Sequence, residues 1–206
     1  MLLVHHLKDS RSQRVLWLLE ELDLPYDIQR YQRDATTRLA PPELKAVHPL
    51  GKSPVLTDGA QTVIESGAIV DYLIRRHGGG RLPPAPDTPA YDHYQQWLHY
   101  AEGSAMLPLL LRLYVGRLGE AGAPLAPRIQ GEIANHIGFV NQSLDGRPWL
   151  LGDDFSAADV QMSFVGEILR DLRPDYPHVE AWVKRFQARP AYRRALERGG
   201  PYSFAA

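Results

Sequence analysis

The chain has 206 residues, of which 44% are hydrophobic and 23% charged, so it is long enough for one large domain or two small ones. A formal net charge of −1 gives no basic field for nucleic acid or an anionic membrane, and no apolar run approaches the roughly 20 residues of a membrane span. The sequence has no cysteine, which excludes a disulfide, a thiolate metal site and a cysteine nucleophile. Any thiol chemistry must therefore use a thiol that a substrate brings in.

Two further exclusions follow from the sequence. The eight histidines are scattered without a metal-binding spacing, and the adjacent pair His5-His6 would point to opposite faces of a strand, so we predict no metal site. The first ten residues lack the basic and long apolar regions of a secretory signal, so we expect a cytoplasmic location.

The first part of the chain alternates strand and helix patterns. The predicted elements are a strand at Leu2-Leu3-Val4, a helix whose apolar stripe is Val15, Leu18, Leu19 and Leu22, a strand over Tyr26 to Tyr31, and a short helix opened by Pro41-Pro42-Glu43. The pair Leu24-Pro25 ends the first helix, because the residue before a proline avoids helical geometry.

The stretch from His48 to Tyr72 completes this α/β unit. It predicts a short strand opened by Ser53-Pro54, a tight turn at Asp58-Gly59, a second short strand, and a helix that starts at Glu65-Ser66. The resulting order βαβαββα is typical of a thioredoxin-like layer, in which helices flank a small sheet.

A Gly- and Pro-rich stretch then separates this unit from a purely helical pattern. We predict a domain over 1–77, a linker over 78–88 and an all-helical domain over 89–206. Thr88 is the expected N-cap of a long helix that runs to Tyr114 with a bend near Gly103 and Pro108. Later helices are predicted at about 127–144, 157–169, 179–189 and 191–197, the second of them behind a capping box of Ser156 and Asp159.

Ser10 is the first candidate for chemistry, since it lies where the first strand turns into the first helix. Its hydroxyl could donate a hydrogen bond to a bound thiolate, which the positive end of the helix would also favour. The local sequence equally fits a capping box of Ser10 and Gln13, with no chemical role. Ser12 is the competing hydroxyl, and Arg11 could either steer an anionic substrate or be solvated.

The later motifs have the same two interpretations. A cis bond at Ser53-Pro54 would turn backbone groups toward a peptide ligand, whereas a trans proline at a strand start would not. Lys52 could meet a carboxylate or lie in solvent. Glu65-Ser66 could bind the charged end of a peptide at the helix N-terminus or simply be common helix-start residues.

Taken in order, these motifs resemble the glutathione site of the glutathione S-transferases. Ser10 lies four residues before Arg14 in DSRSQRVLWLLEEL, a spacing similar to that of serine-type transferases of theta-like and delta-like classes and of many bacterial members. The tyrosine-type pattern is missing, the cysteine-type classes are excluded, and His48-Pro49 departs from the common Asn-Pro of relatives. The resemblance covers nearly the whole chain.

The resemblance implies roles for particular residues. Ser10, or else Ser12 or Arg11, would stabilise the thiolate of glutathione, and Lys52, Ser53, Pro54, Glu65 and Ser66 would bind the rest of the tripeptide. The protein would be a homodimer, in which Glu102 from a neighbouring subunit would approach the γ-glutamyl ammonium. The helical domain would present a hydrophobic electrophile to the thiolate, using apolar residues of the stretch that contains Trp97, His99, Tyr100, Leu107, Leu111 and Tyr114.

Two other functions remain open on the same fold. One is reduction of hydroperoxides by the same thiolate. The other is non-catalytic binding of glutathione, a ligand or a protein partner, although relatives of that kind tend to lose the glutathione-contacting residues that this chain keeps. The resemblance implies glutathione as a co-substrate and does not name the electrophile. Detoxification is the expected role, with a catabolic step and ligand carriage left open as other roles.

Overall fold

A computed structural model describes residues 1–205. The chain forms two compact units, one made of Met1–Leu82 together with the chain from Phe186 onward, the other of Pro83–Arg185. Within the described residues, no helix is both long enough and apolar enough to cross a membrane.

The first unit has the predicted order of strands and helices. Its elements are β1 (Leu2–Leu7), α1 (Ser12–Glu21), β2 (Tyr26–Tyr31), α2 (Glu43–Val47), β3 (Val55–Asp58), β4 (Gln61–Ile64) and α3 (Ser66–His77). The apolar stripe of α1 is fully buried, as its helical spacing requires. The prediction of a thioredoxin-like α/β layer is confirmed.

The four strands form one mixed sheet in the order β2-β1-β3-β4. β1 and β2 are parallel, with Leu2 opposite Tyr26, because α1 carries the chain back across the sheet. β3 is antiparallel to both β1 and β4, and Gly59 supplies the positive φ of 58° in the turn of the β3–β4 hairpin. This topology places the C-terminal end of β1 beside the N-terminal end of β3, where His5 faces Val55.

The second unit is helical. Its elements are α4 (Pro89–Tyr100), a π-helical turn (Ala101–Ala105), α5 (Met106–Gly116), a 3₁₀ segment (Gly119–Leu125), α6 (Ala126–Ser143), α7 (Ala157–Ile168), a 3₁₀ segment (Arg170–Asp175) and most of α8 (Pro177–Gln187). α9 (Pro190–Gly199) follows and belongs to the first unit. The two 3₁₀ segments were not predicted, since each is short, contains a proline and has no helical stripe.

The predicted helix starts are confirmed in this unit. The hydroxyl of Thr88 accepts the backbone N–H of Tyr91 at 3.3 Å, with Pro89 at the first helical position. Ser156 and Asp159 form the full capping box of α7. The interruption near Gly103 is a π-helical turn, and Pro108 follows it in the first turn of α5.

The C-terminal residues pack with the α/β unit, unlike the predicted boundary of 89–206. Trp17 of α1 lies between two aromatic rings, with its centroid 5.3 Å from that of Phe186 and 5.4 Å from that of Tyr192. On the same side, Nε of Arg194 lies 2.8 Å from a carboxylate oxygen of Glu20. These contacts are tertiary, so a boundary drawn from composition along the chain does not reveal them.

Candidate active site

Ser10 lies in the turn between β1 and α1, directly after Asp9, whose φ of 53° is in the left-handed region. The hydroxyl oxygen of Ser10 accepts the backbone N–H of Ser12 at 3.2 Å. The N–H of Gln13 donates instead to the carbonyl oxygen of Ser10, also at 3.2 Å. The reciprocal capping box of Ser10 and Gln13 is therefore not formed, although the hydroxyl of Ser10 does accept a backbone N–H at the start of the helix.

The hydroxyl of Ser10 is part of a buried chain of side chains, the His6–Ser12–Ser10 chain. The Oγ atoms of Ser10 and Ser12 are 2.7 Å apart, and Oγ of Ser12 is 2.8 Å from Nδ1 of His6. Ser10 is 5% exposed and Ser12 is fully buried. Burial, with a further contribution from Arg30, lowers the pKa of His6 to about 4, so the imidazole is neutral at pH 7.

Ser53 lies beside this chain at the start of β3. Its hydroxyl donates to the carbonyl oxygen of His5 at 2.8 Å and accepts the N–H of Leu7 at 3.2 Å. The carbonyl oxygen of Leu7 in turn lies 3.3 Å from Oγ of Ser12. The Ser53-Pro54 bond is cis, as the resemblance implied. The backbone of Leu7, at the end of β1, thus contacts both serines: its N–H binds Ser53 and its carbonyl oxygen binds Ser12.

The N-terminus of α3 carries the Glu65-Ser66 pair. Glu65 is the N-cap residue, with a φ of 67° and an exposed side chain. Ser66 is 3% exposed, and its Oγ accepts a hydrogen bond from Nη1 of Arg14 at 3.2 Å. The first N–H groups of α3 have no intrahelical acceptor, as at every helix start. A buried cation, a hydroxyl and helix N–H groups together favour a carboxylate here.

The structure links four of the nine predicted site residues by side-chain hydrogen bonds. Ser10, Ser12, Ser53 and Ser66 are linked to β1 or α1 by the hydrogen bonds above. Arg11 is half-buried at the N-cap of α1, and Lys52 is exposed next to Ser53. Glu102 lies half-buried in the π-helical turn of the second unit.

Sequence reasoning missed two contributors to this site. His6 was considered only as half of a histidine pair, although its position four residues before Ser10 was a usable signal. Arg14 was used only as a spacing marker, and its contact with Ser66 had no sequence signal because 52 residues separate the two.

The second unit offers two apolar surfaces. One is a groove of about 1310 Å³ whose walls include Trp97, Tyr100 and Phe139. The other is the stripe of Leu107, Leu111 and Tyr114 on α5, whose side chains are 56%, 40% and 56% exposed. Among residues 1–205, no group of three or more His, Asp and Glu side chains could hold a metal ion.

Comparisons with known proteins agree with the geometry. The model of the glutathione S-transferase N-terminal domain matches residues 1–75, and that of the C-terminal domain matches residues 81–190. Glutathione S-transferase 3 of Schizosaccharomyces pombe is 33% identical over 96% of this chain and 88% of its own length.

Solved structures give the same result. A glutathione S-transferase from Actinobacillus pleuropneumoniae is 35% identical, with a TM-score of 0.91 over 99% of this chain and 95% of its own. A glutathione transferase family member from Pseudomonas fluorescens, with two glutathione bound, is 27% identical with a TM-score of 0.80 over 95% of this chain and 92% of its own. Both domain models and these relatives place the chain in the glutathione S-transferase family of enzymes.

Proposed function

We propose that this protein is a serine-type glutathione transferase that conjugates the thiolate of glutathione to hydrophobic electrophiles. The observation that carries the proposal is the hydroxyl of Ser10, held at the start of α1 by the N–H and the hydroxyl of Ser12. A hydroxyl donor at the positive end of a helix is suited to stabilise an anion.

Glutathione is an extended tripeptide, and the first unit has a complementary group for each part of it. Ser66 and the N–H groups of α3 would bind the γ-glutamyl carboxylate, backed by the guanidinium of Arg14. The exposed carboxylate of Glu65 would bind the γ-glutamyl ammonium. Ser53 and Pro54 would pair with the peptide backbone, and Lys52 would meet the glycine carboxylate. The relative with two glutathione bound supports this ligand.

The chemical step requires glutathione to be ionised at neutral pH. A free thiol has a pKa of about 8.5, and lowering it by about two units favours the anion by about 2.7 kcal/mol. One charge-assisted hydrogen bond from Ser10, together with the N-terminus of α1, is enough for this shift. The thiolate then attacks the electrophilic carbon directly, and no covalent enzyme intermediate forms.

The apolar stripe of Leu107, Leu111 and Tyr114 would supply the hydrophobic surface for the electrophile. These residues lie at helical spacing on α5 and are far more exposed than most apolar side chains of the unit. We propose further that the enzyme is a cytoplasmic homodimer with a role in detoxification, and that Glu102 of a second copy completes the ammonium site. We propose the limits 1–77, 78–88 and 89–206 for the domains along the chain, with α9 of the second domain packed in the first compact unit.

The first experiment is an ultraviolet titration of the glutathione thiolate between pH 5 and 9, with and without the protein. We expect the thiolate absorbance of bound glutathione to appear about two pH units below that of free glutathione. Ser10→Ala should move the bound thiol pKa back toward the free value. Ser143→Ala is the matched control, because that hydroxyl donates to the carbonyl of Phe139 on α6.

Two results would contradict the proposal. No thiolate signal with wild-type protein in excess glutathione would favour a non-catalytic binding protein. An unchanged titration and unchanged turnover in Ser10→Ala would exclude Ser10 and leave Ser12 or Arg11. Comparing turnover of an aryl halide with that of cumene hydroperoxide separates conjugation from the peroxidase alternative.

A further inference from the structure

The direction of each hydrogen bond in the His6–Ser12–Ser10 chain follows from the far end of the imidazole. Nε2 of His6 faces Gly199 of α9, where a Cβ atom placed on the glycine would lie 3.5 Å from it. The ring is hydrogen-bonded to the backbone of Gly199, in the sense that favours the protonated ring. A hydrogen bond of that sense is one the ring donates to a carbonyl oxygen. The neutral ring therefore carries its proton on Nε2, and Nδ1 is an acceptor.

Because Nδ1 of His6 is an acceptor, it determines the direction in which the hydroxyl of Ser12 donates. Oγ of Ser12 is 2.8 Å from Nδ1, and a contact this short between an oxygen and an unprotonated nitrogen requires the hydroxyl proton of Ser12 to lie between them. The oxygen of Ser12 is then left as an acceptor, 2.7 Å from Oγ of Ser10. Ser10 must donate in that pair.

We propose that His6 is a positioning residue that accepts the hydrogen bond donated by the hydroxyl of Ser12. Ser12 then offers Ser10 only an acceptor, and Ser10 is the one hydroxyl free to turn toward a bound thiolate. The full burial of Ser12 agrees, because no ligand reaches its hydroxyl in this arrangement. The functional part rests on the proposed transferase activity. When glutathione ionises, the proton of Ser10 leaves the oxygen of Ser12 and is donated to the sulfur.

A competing role for His6 is that of a base that receives the thiol proton through the two hydroxyls. The pKa of His6 is about 4, whereas that of a free thiol is about 8.5. A proton is therefore held on His6 about 10⁴-fold less readily than on the free thiol. The groups around the ring do not close this gap: Asp9 and the backbone of Gly199 favour a positive charge on His6, but burial and Arg30 outweigh them. His6 acts as a neutral acceptor.

The first test needs no glutathione. Long-range ¹H–¹⁵N correlation spectra of the free protein report which imidazole nitrogen of His6 carries the proton. We expect Nδ1 to resonate as an unprotonated nitrogen and Nε2 as a protonated one, and we expect Ser12→Ala to shift the Nδ1 signal. The opposite tautomer, or an Nδ1 signal that ignores Ser12→Ala, would overturn the proposal whether or not the protein is a transferase.

The second test compares two variants of His6 by thiolate titration. His6→Asn keeps an acceptor oxygen near the place of Nδ1, whereas His6→Leu has none. In His6→Leu the proton of Ser12 turns to Ser10, so ionisation of glutathione no longer breaks a hydrogen bond between the two serines. We expect the bound thiol pKa of His6→Leu to lie about 0.5 units below that of His6→Asn, a roughly threefold shift toward the thiolate.

A structural defect would give a different pattern. It would raise the bound thiol pKa in His6→Leu, or it would leave the difference between the two variants intact when Ser12 is also replaced by alanine. In our proposal the difference disappears in the Ser12→Ala background, because His6 acts only through that hydroxyl. Equal titrations of His6→Asn and His6→Leu would overturn the proposal, as would a Ser12→Ala protein that titrates like Ser10→Ala.

Discussion

Nη1 of Arg14 lies 3.2 Å from Oγ of Ser66, and this hydrogen bond joins the first turn of α1 to the first turn of α3. Both side chains are at least 97% buried. Because the guanidinium can only donate, the oxygen of Ser66 is the acceptor of this hydrogen bond. The buried positive charge therefore strengthens the anion-binding end of α3 from behind.

This relationship predicts the effect of removing the hydroxyl of Ser66. Ser66→Ala should weaken glutathione binding about tenfold, because a charge-assisted hydrogen bond contributes about 1.5 kcal/mol or more. Isothermal titration calorimetry measures the dissociation constant directly. Ser163→Ala is the matched control, a buried serine of α7 whose hydroxyl donates to the carbonyl of Val160. Equal affinity of the Ser66→Ala and wild-type proteins would remove Ser66 from the glutathione site.

Local patterns were enough to predict most of the fold. Strand alternation, helical stripes and proline positions gave the order of the first seven elements, and capping chemistry gave the starts of α4 and α7. The β1–α1 turn was harder, because a capping box at Ser10 requires a helix that starts there. In the structure Asp9 has a left-handed φ, and α1 begins at Ser12, two residues after Ser10.

The remaining differences come from contacts between residues far apart in the chain. The placement of α9 depends on the pairing of Glu20 with Arg194 and Arg198, more than 170 residues away. The role of His6 depends on a hydroxyl in the next element and on Gly199 at the other end of the chain. Periodicity describes which face of a helix is apolar, and it contains no information about which distant polar groups that helix meets.

Glu20 should govern part of the acid stability of the first unit. Burial alone would raise the pKa of Glu20, but hydrogen bonds from Arg194, Tyr26 and Arg198 outweigh burial and hold the pKa below its ordinary value. A carboxyl group with a lowered pKa in the folded state stabilises the protein above its unfolded pKa of about 4.3 and loses that contribution as the pH falls through the folded value.

Glu20→Gln should therefore lower the free energy of unfolding at pH 7 by about 1 kcal/mol. The difference from wild type should shrink steadily below about pH 4.3, where the carboxyl group of the unfolded chain is protonated in both cases. Urea denaturation at a series of pH values measures this. Glu197→Gln, on the exposed face of α9, is the control and should leave the pH profile unchanged. If the free energies of unfolding of Glu20→Gln and wild type differed by the same amount at every pH, the folded-state pKa of Glu20 would not be lowered.

Asp159 is the polar centre of the helical unit. One of its carboxylate oxygens accepts the N–H of Leu150 at 3.0 Å and Nε1–H of Trp182 at 2.9 Å, and the other accepts the N–H of Ser156 at 3.0 Å. The residue is fully buried, and burial raises its pKa to about 6, so it is ionised at pH 7. Each of these donors would be left buried without its acceptor if the carboxylate were lost.

Asp159→Asn should cost about 2–4 kcal/mol of unfolding free energy at pH 7, since an amide group turns one oxygen into a donor that faces other donors. Ser156→Ala should cost about 1 kcal/mol, as expected for loss of an N-cap hydroxyl. Chemical denaturation at pH 7 measures both. The exposed Asp154 gives the control, and Asp154→Asn should change the stability by less than about 0.5 kcal/mol. A cost for Asp159→Asn as small as that of the control would show that the network does not stabilise the unit.

The C-terminal segment is attached to the residue that precedes Ser10. The N–H of Ser203 donates to Asp9 at 2.7 Å, and the hydroxyl of Ser203 donates to the other carboxylate oxygen at 3.0 Å. A third contact, from Arg38, is longer at 3.5 Å. Asp9 has a left-handed backbone in the turn between β1 and α1, so we expect these bonds to hold the turn in which the hydroxyl of Ser10 is placed.

Ending the chain after Gly200 should therefore loosen this turn with little effect on the core, because none of the described residues that are lost, 201–205, is fully buried. We expect faster hydrogen exchange at the amides of Ser10 and Ser12, and a two- to fivefold lower kcat, at a thermal midpoint within about 2 °C of the full chain. Ser203→Ala keeps the backbone donor to Asp9, so its changes in amide exchange and in kcat should be smaller than those of the shortened chain. If exchange at these amides stayed at the level of the full chain, the bonds between Ser203 and Asp9 would have no part in holding the turn.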